Sequence, residues 1–225
     1  MNFLAIDLST DMSSVALLTK DGMFYKKDLD LNNRSRFVLK MIDNLLIDSG
    51  ICFSKLDAII YCAGPGSFTG IRVACSIVKG LAYTMNIPLF SVSSFNSIAQ
   101  EAYAMQQYIN INCFKFNLLV VMDAKMNRVY WDYIKYKFIS TKERISKVSS
   151  ISIPEDKSEL ILVGVFNDKI ISYLSGKIKS RIVNKFFIYP NAKSIINFVL
   201  SRKISINNVH INDVVPIYLK DLMLL

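Results

Sequence analysis

Apolar residues near the N-terminus recur at strand length, and the spacing turns helical after residue 33. Phe3-Leu4-Ala5-Ile6-Asp7-Leu8-Ser9-Thr10 reads as a buried strand ending in an acid and two hydroxyls. Ser13 to Thr19 reads as a second strand, Asp21-Gly22 is a hairpin signal, and Met23-Phe24-Tyr25 opens a third. Arg34 to Ser49 has helical spacing and is closed by Gly50, which can adopt the left-handed conformation just past a helix. Within it, Phe37, Val38, Leu39, Met41, Ile42, Leu45 and Leu46 cover an arc of about 200°, wider than the stripe of a one-sided surface helix. The width predicts two apolar faces: one covers the early strands, and the other is either buried deep in this chain or meets a partner.

The pattern continues with a strand over Asp57–Cys62, a glycine-rich loop, and a helix from Gly70 to Met85 lined by Val73, Ala74, Ile77, Val78, Leu81 and Ala82. A helix apolar nearly all round is more often core than interface. Ile87-Pro88 ends it, Leu89–Val92 supplies the next strand, and Ser94 caps the helix that follows. The chain changes character between Asn110 and Asn117; strands are then predicted at Leu118–Met122, Val129–Ile134 and Leu160–Val163, and a helix at Ala192–Arg202. No internal repeat is legible.

The loop Gly64-Pro65-Gly66-Ser67-Phe68-Thr69-Gly70-Ile71-Arg72 lies between a strand and a helix N-terminus. Such a segment can aim backbone N–H groups at one spot and suits either a phosphate or a closely docked backbone. The plainer alternative is a tight turn whose glycines permit positive φ. It is not a Walker A loop, because no Lys-Ser/Thr pair follows Gly70.

Composition narrows the classes. The chain has 225 residues, 52% of them hydrophobic, enough for a substantial core in one large domain or two small ones. Its longest apolar runs, such as Leu118–Met122, fall far short of the roughly 20 residues that span a bilayer. No basic segment precedes an apolar core at the N-terminus, so the chain is expected in the cytoplasm. Cys52, Cys62, Cys75 and Cys113 lack Cys-x-x-Cys spacing, and His210 is the single histidine; neither a metal site nor a histidine-based triad is expected. The net charge of +9 is uneven, with nine basic against eight acidic residues over 1–100 and eighteen against ten over 101–225. Lys135, Lys137, Lys142, Arg144 and Lys147 form one basic cluster, and Lys169, Lys177, Lys179, Arg181 and Lys185 another. Such clusters could attract RNA phosphates without regard to sequence, but the excess is lysine in a chain also rich in Ile and Asn, a pattern that biased genome composition produces without any ligand.

Ala5-Ile6-Asp7 with Ser9-Thr10, the run Ala63 to Arg72, Lys79-Gly80-Leu81-Ala82, Ile87-Pro88 and Val92-Ser93-Ser94 together resemble the bacterial TsaB (YeaZ) family of the actin-like ATPase superfamily. Weaker echoes follow in order at Met122–Trp131, Leu162-Val163-Gly164, Tyr189-Pro190-Asn191-Ala192 and Pro216–Lys220. The resemblance spans nearly the whole chain. It implies an α/β fold of two actin-like (ribonuclease H-like) lobes, each a mixed sheet flanked by helices. The first would cover residues 1–108, with 214–225 returning to pack on it, and the second 109–213.

The family implies a noncatalytic subunit that binds and activates TsaD for threonylcarbamoyl transfer to N6 of adenosine 37, in tRNAs that read codons beginning with adenine. The ATPase TsaE is a further partner, and the chain would be a heterodimer with TsaD or a homodimer when alone. tRNA would be met indirectly or weakly through the basic second lobe. Asp7, Ser9, Thr10, Gly64, Gly66, Ser67, Thr69 and Gly70 would be degenerate nucleotide-type loops, with ATP or ADP held at the partner interface rather than bound independently. Asp123 stands where a second phosphate turn is expected, yet Ala124-Lys125-Met126 follows without glycine. Gly164 is likewise followed by Val165-Phe166-Asn167 where the family usually shows another glycine. TsaD's metal-binding histidine pair has no counterpart around Asn33–Phe37. The partner interface is expected at Phe37, Val38, Met41, Ile42, Leu45, Arg72, Val73 and Ile77. A self-sufficient ATPase or small-substrate kinase, and a plain homodimeric scaffold, remain the rival readings.

Overall fold

The computed structural model describes residues 1–29, 34–105, 116–136, 139–140, 142–156, 158–202 and 210–219. Expectations placed on Asn33, Tyr108, Cys113, Lys137 and residues 220–225 lie outside the described residues. Contacts divide the chain into two units, one of residues 1–97 with 190–217 and one of 98–189 with 218–225.

The first unit carries strands β1 (Phe3–Asp7), β2 (Ser13–Thr19), β3 (Gly22–Asp28), β4 (Ala58–Gly64) and β5 (Leu89–Ser93) in the order β3-β2-β1-β4-β5. β1 pairs antiparallel with β2 and parallel with β4, and β5 pairs parallel with β4. The two faces of the sheet carry separate cores. Leu4, Ile6, Val15, Leu17, Ile59 and Tyr61 pack against helices α1 (Arg34–Ser49) and α2 (Phe68–Met85). Phe3, Ala5, Ala16, Ile60 and Cys62 face the other way. This alternation is what a strand buried on both faces requires.

The helix α3 (Ser94–Met105) contains the boundary between units. The second unit holds β6 (Asn117–Asp123), β7 (Arg128–Ile134), β8 (Arg144–Lys147), β9 (Leu160–Val165), short helices α4 (Asp168–Tyr173) and α5 (Gly176–Lys179), and β10 (Ile182–Phe187). Its sheet runs β10-β9-β6-β7-β8, with β6-β7-β8 antiparallel and β6-β9-β10 parallel. Numbered within its own unit, each sheet therefore has the order 3-2-1-4-5. The fold repeats although the sequence shows no repeat, because hydrogen-bond order tolerates exchange of every side chain that keeps its period.

One expectation is corrected. Helix α6 (Ala192–Arg202), assigned from sequence to the second lobe, packs on β1, β2 and β4 of the first. Ala192, Ile195, Ile196, Phe198 and Val199 join the core on the sheet face opposite α1 and α2. The Ala192 N–H donates to Ser14 Oγ at 2.9 Å, seating the helix start on β2. Further on, Val214 is buried in the core on the α1–α2 side and the Ile217 N–H donates to the Ala63 carbonyl at 2.8 Å.

Ile196→Ala, on the buried side of α6, is expected to cost about 2–4 kcal/mol by opening a cavity. Lys193→Ala, on its exposed side, should cost less than about 0.5 kcal/mol. Urea unfolding of both variants checks this, and equal effects would mean that the helix does not cover the sheet.

Candidate functional site

The sequence-predicted turns meet at the C-terminal ends of β1 and β4. Asp7 is fully buried, and its Oδ1 accepts from the Ser9 N–H at 2.8 Å and the Ser9 hydroxyl at 2.7 Å. The Ser9 carbonyl in turn accepts from the Ser67 N–H at 2.7 Å. Gly66 lies so close to Ser9 that a Cβ there would collide with the Ser9 carbonyl. The glycine loop is thus docked, backbone on backbone, against the turn after β1. Gly64 is buried with φ +105°, is joined to Pro65 by a cis peptide bond, and approaches the Ile217 carbonyl. Thr10 is buried and its hydroxyl reaches the Met12 carbonyl at 3.5 Å, whereas Thr69 is exposed.

The loop then becomes α2. Ser67 is its N-cap, with the side chain accepting from the buried Gly70 N–H at 3.2 Å, the usual way to satisfy an orphan donor of the first turn. The helix closes at Asn86, a left-handed C-cap. Behind the loop, Ser94 Oγ donates to the Pro65 carbonyl at 2.7 Å and sits 3.1 Å from the Cys62 sulfur.

These contacts set the electrostatics. Burial pushes the Asp7 carboxyl up to about 6, opposed by the Ser9 hydrogen bonds and by the neighbouring Cys62 thiol. Burial also raises the Cys62 thiol, and the Asp7 charge raises it further. Asp7 Oδ2 and the Ser13 hydroxyl are buried without a hydrogen-bond partner among the described residues.

In the second unit Asp123 ends β6 and repeats the gesture: its Oδ1 accepts from the Lys125 N–H at 2.8 Å. The Ala124 N–H donates to the Arg128 carbonyl at 3.0 Å and the Arg128 N–H to the Lys125 carbonyl at 2.9 Å. Lys125, Met126 and Asn127 all have positive φ, so the hairpin turns without glycine. Gly164 has a packing role: a Cβ there would collide with the Val121 carbonyl of the paired strand β6. A phosphate cradle needs free, convergent amides. The amides of Ser9, Ser67 and Gly70 in one unit, and of Ala124, Lys125 and Arg128 in the other, already donate within the protein. Neither turn therefore fits a nucleotide phosphate as a cradle built from these groups. Among the described residues, no group of three or more His, Cys, Asp and Glu is arranged to hold a metal ion.

Residues 32–171 match the family model described as TsaD, tRNA N6-adenosine threonylcarbamoyltransferase. The tRNA threonylcarbamoyladenosine biosynthesis protein TsaB of Buchnera aphidicola subsp. Schizaphis graminum is 32% identical over 88% of this chain and 92% of that protein. The chain belongs to the TsaB family. The TsaB of Haemophilus influenzae is 34% identical over 60% of this chain, and the match spans about half of that protein's length, 54%. YeaZ from Pseudomonas aeruginosa superposes with a TM-score of 0.82 at 26% identity, covering 97% of this chain and 99% of that one. The fold is accordingly that of YeaZ, an α/β fold of two units each built on a five-stranded mixed sheet.

The expected TsaB-type interface is only partly exposed. Val38, Met41, Ile42 and Leu45 lie in the first unit's own core, at most 7% exposed, and this corrects the reading of a second apolar face built from them. Phe37 is 38% exposed, Arg72 is exposed, and Val73 and Ile77 are half-buried. Sequence reasoning missed Phe68, which is 56% exposed and carries the Arg72 guanidinium 3.7 Å from its ring centroid. Phe68, Arg72, Val73 and Ile77 line a shallow groove of about 340 Å³ on the outer side of α2. The helical spacing of 68, 72, 73 and 77 was a signal for this second stripe.

No helix among the described residues is long and apolar enough to cross a membrane.

Two outcomes follow from the docked turns. Asp7 titrates near 6 when folded and near 3.8 when unfolded, so its burial penalty is fully present above pH 6 and is relieved as pH falls towards 3.8. Relative to Asp7→Asn, wild-type stability should therefore gain up to about 3 kcal/mol between pH 7.5 and 4, measured by urea unfolding across pH. Gly66→Ala should cost more than about 2 kcal/mol by forcing the loop off Ser9; an unchanged melting temperature would exclude the close docking.

Proposed function

We propose that this chain is the noncatalytic subunit of tRNA threonylcarbamoyladenosine synthesis, binding a TsaD-type transferase and holding it productive. The reaction it would serve is threonylcarbamoyl transfer to N6 of adenosine 37 in tRNAs that read codons beginning with adenine. A TsaE-type ATPase would be a further partner, and ATP or ADP would be held only where subunits meet. The tRNA-modification part of this reading is supported by the match to Buchnera TsaB along nearly the full length of both proteins.

The observation that favours a partner over a catalyst is the condition of the glycine loop. Its Ser67 amide is engaged by the Ser9 carbonyl and its Gly70 amide by the Ser67 cap, so the loop acts as a fixed support that sets where α2 begins. The outer stripe of α2 then combines an exposed aromatic, a guanidinium stacked on it and two half-buried aliphatics, the residue types enriched at interface hot spots. An interface of this kind changes a partner's activity only by contacting one of its conformations better than the other. A second copy of this chain would use the same stripe when the transferase is absent.

Phe68→Asp combined with Arg72→Glu should weaken co-purification with the organism's TsaD homologue at least tenfold and lower threonylcarbamoyladenosine in bulk tRNA. The melting temperature should stay within a few degrees, since both side chains are exposed. Full modification with an intact complex in this double variant would refute the interface. Modified tRNA persisting in cells without the chain would refute the function.

A further inference from the structure

The second unit contains a cavity of about 480 Å³ whose rim is basic. Four cations from three parts of the unit line it: Lys125 and Arg128 of the β6–β7 hairpin, Lys147 at the end of β8, and Lys169 in α4. One carboxylate, Asp123, opposes them, and it pairs with Lys125 at 3.7 Å. Lys147 and Lys169 are exposed and have no acidic partner among the described residues. Like charges gathered around one concavity repel one another and raise the local potential, which a polyanion relieves.

In the turn beside the cavity the Ala124, Lys125 and Arg128 amides already donate within the protein, so the charge that draws an anion here comes from the side chains. Long lysine and arginine stems on an open rim suit the spaced charges of a nucleic-acid backbone, whose binding needs cations but no enclosing bed. We propose that this cavity seats backbone phosphates of RNA, giving the chain a direct contact of its own with tRNA. This deepens the tRNA-modification reading and rests on it for the identity of the RNA.

The test uses the full chain with fluorescently labelled bulk bacterial tRNA, titrated by anisotropy at several salt concentrations. Lys147→Glu with Lys169→Glu should weaken binding at least tenfold and lower the slope of log K against log salt by roughly one and a half to two. The control, Lys177→Glu with Lys179→Glu, makes the same charge change outside the cavity and should weaken binding less than threefold. Equal losses from both pairs, or no binding by wild type at low salt, would overturn the proposal. Displacement of tRNA by ADP at equal phosphate concentration would assign the cavity to a mononucleotide and overturn the RNA assignment. Co-purification of both charge variants with the TsaD homologue separates the outcomes: an intact complex without the expected RNA effect sinks this inference and leaves the partner reading standing.

Discussion

The hydrogen bond from the Ser67 N–H to the Ser9 carbonyl, made across the bare α-carbon of Gly66, fixes the geometry on which the first unit depends. It joins the turn after β1 to the turn after β4, two strands that are neighbours in the sheet. With that junction made, Ser67 can cap α2 and Ser94 can reach the Pro65 carbonyl. Asp7 supports the same junction from below by orienting both donors of Ser9. A carboxylate with one unpartnered oxygen in a dry site is costly, and its raised pKa records that cost.

The same elements can bind phosphate in one setting and backbone in another, because a carbonyl and a phosphate oxygen ask for the same donor. In this chain the amides of Ser9, Ser67 and Gly70 in one unit, and of Ala124, Lys125 and Arg128 in the other, donate to carbonyl and side-chain oxygens within the unit. The turn after β4 is thereby held against the turn after β1, while the exposed side chains nearby are the Phe68–Arg72 stripe in one unit and the lysine rim in the other. A turn held in place is a better foundation for an interface than a loop that must reorganise when a ligand arrives.

Local order was legible in the sequence wherever it rests on local chemistry. The alternation of Leu4, Ile6 and Leu8 with Phe3 and Ala5, the Asp21-Gly22 turn and the Gly50 stop all depend on neighbours within a few residues. The assignment of α6 failed for the opposite reason: an apolar stripe of Ile195, Ile196 and Val199 says that a sheet is covered, never which one. The breadth of the α1 stripe misled because residue type does not report depth; Val38 is fully buried while Leu39 beside it is 44% exposed. Of the candidate site, Asp7, Gly66 and Ser67 were legible from their motif, but the choice between phosphate and backbone was not. Lys147 and Lys169 line one cavity because the end of β8 and the start of α4 are brought to it, a fact of topology that no spacing along the chain encodes.

The return of α6 to the first sheet also orders events during synthesis. When residue 97 leaves the ribosome, the five strands of the first unit are complete, but the sheet face bearing Phe3, Ala5 and Ile60 has no helix to cover it. That cover arrives about a hundred residues later, roughly 5–20 s at ordinary elongation rates, after all five strands of the second unit have already emerged. The unit that begins first is thus finished last, and a bare apolar face waits in the interval, giving a holding chaperone a defined surface and a defined time at which to act.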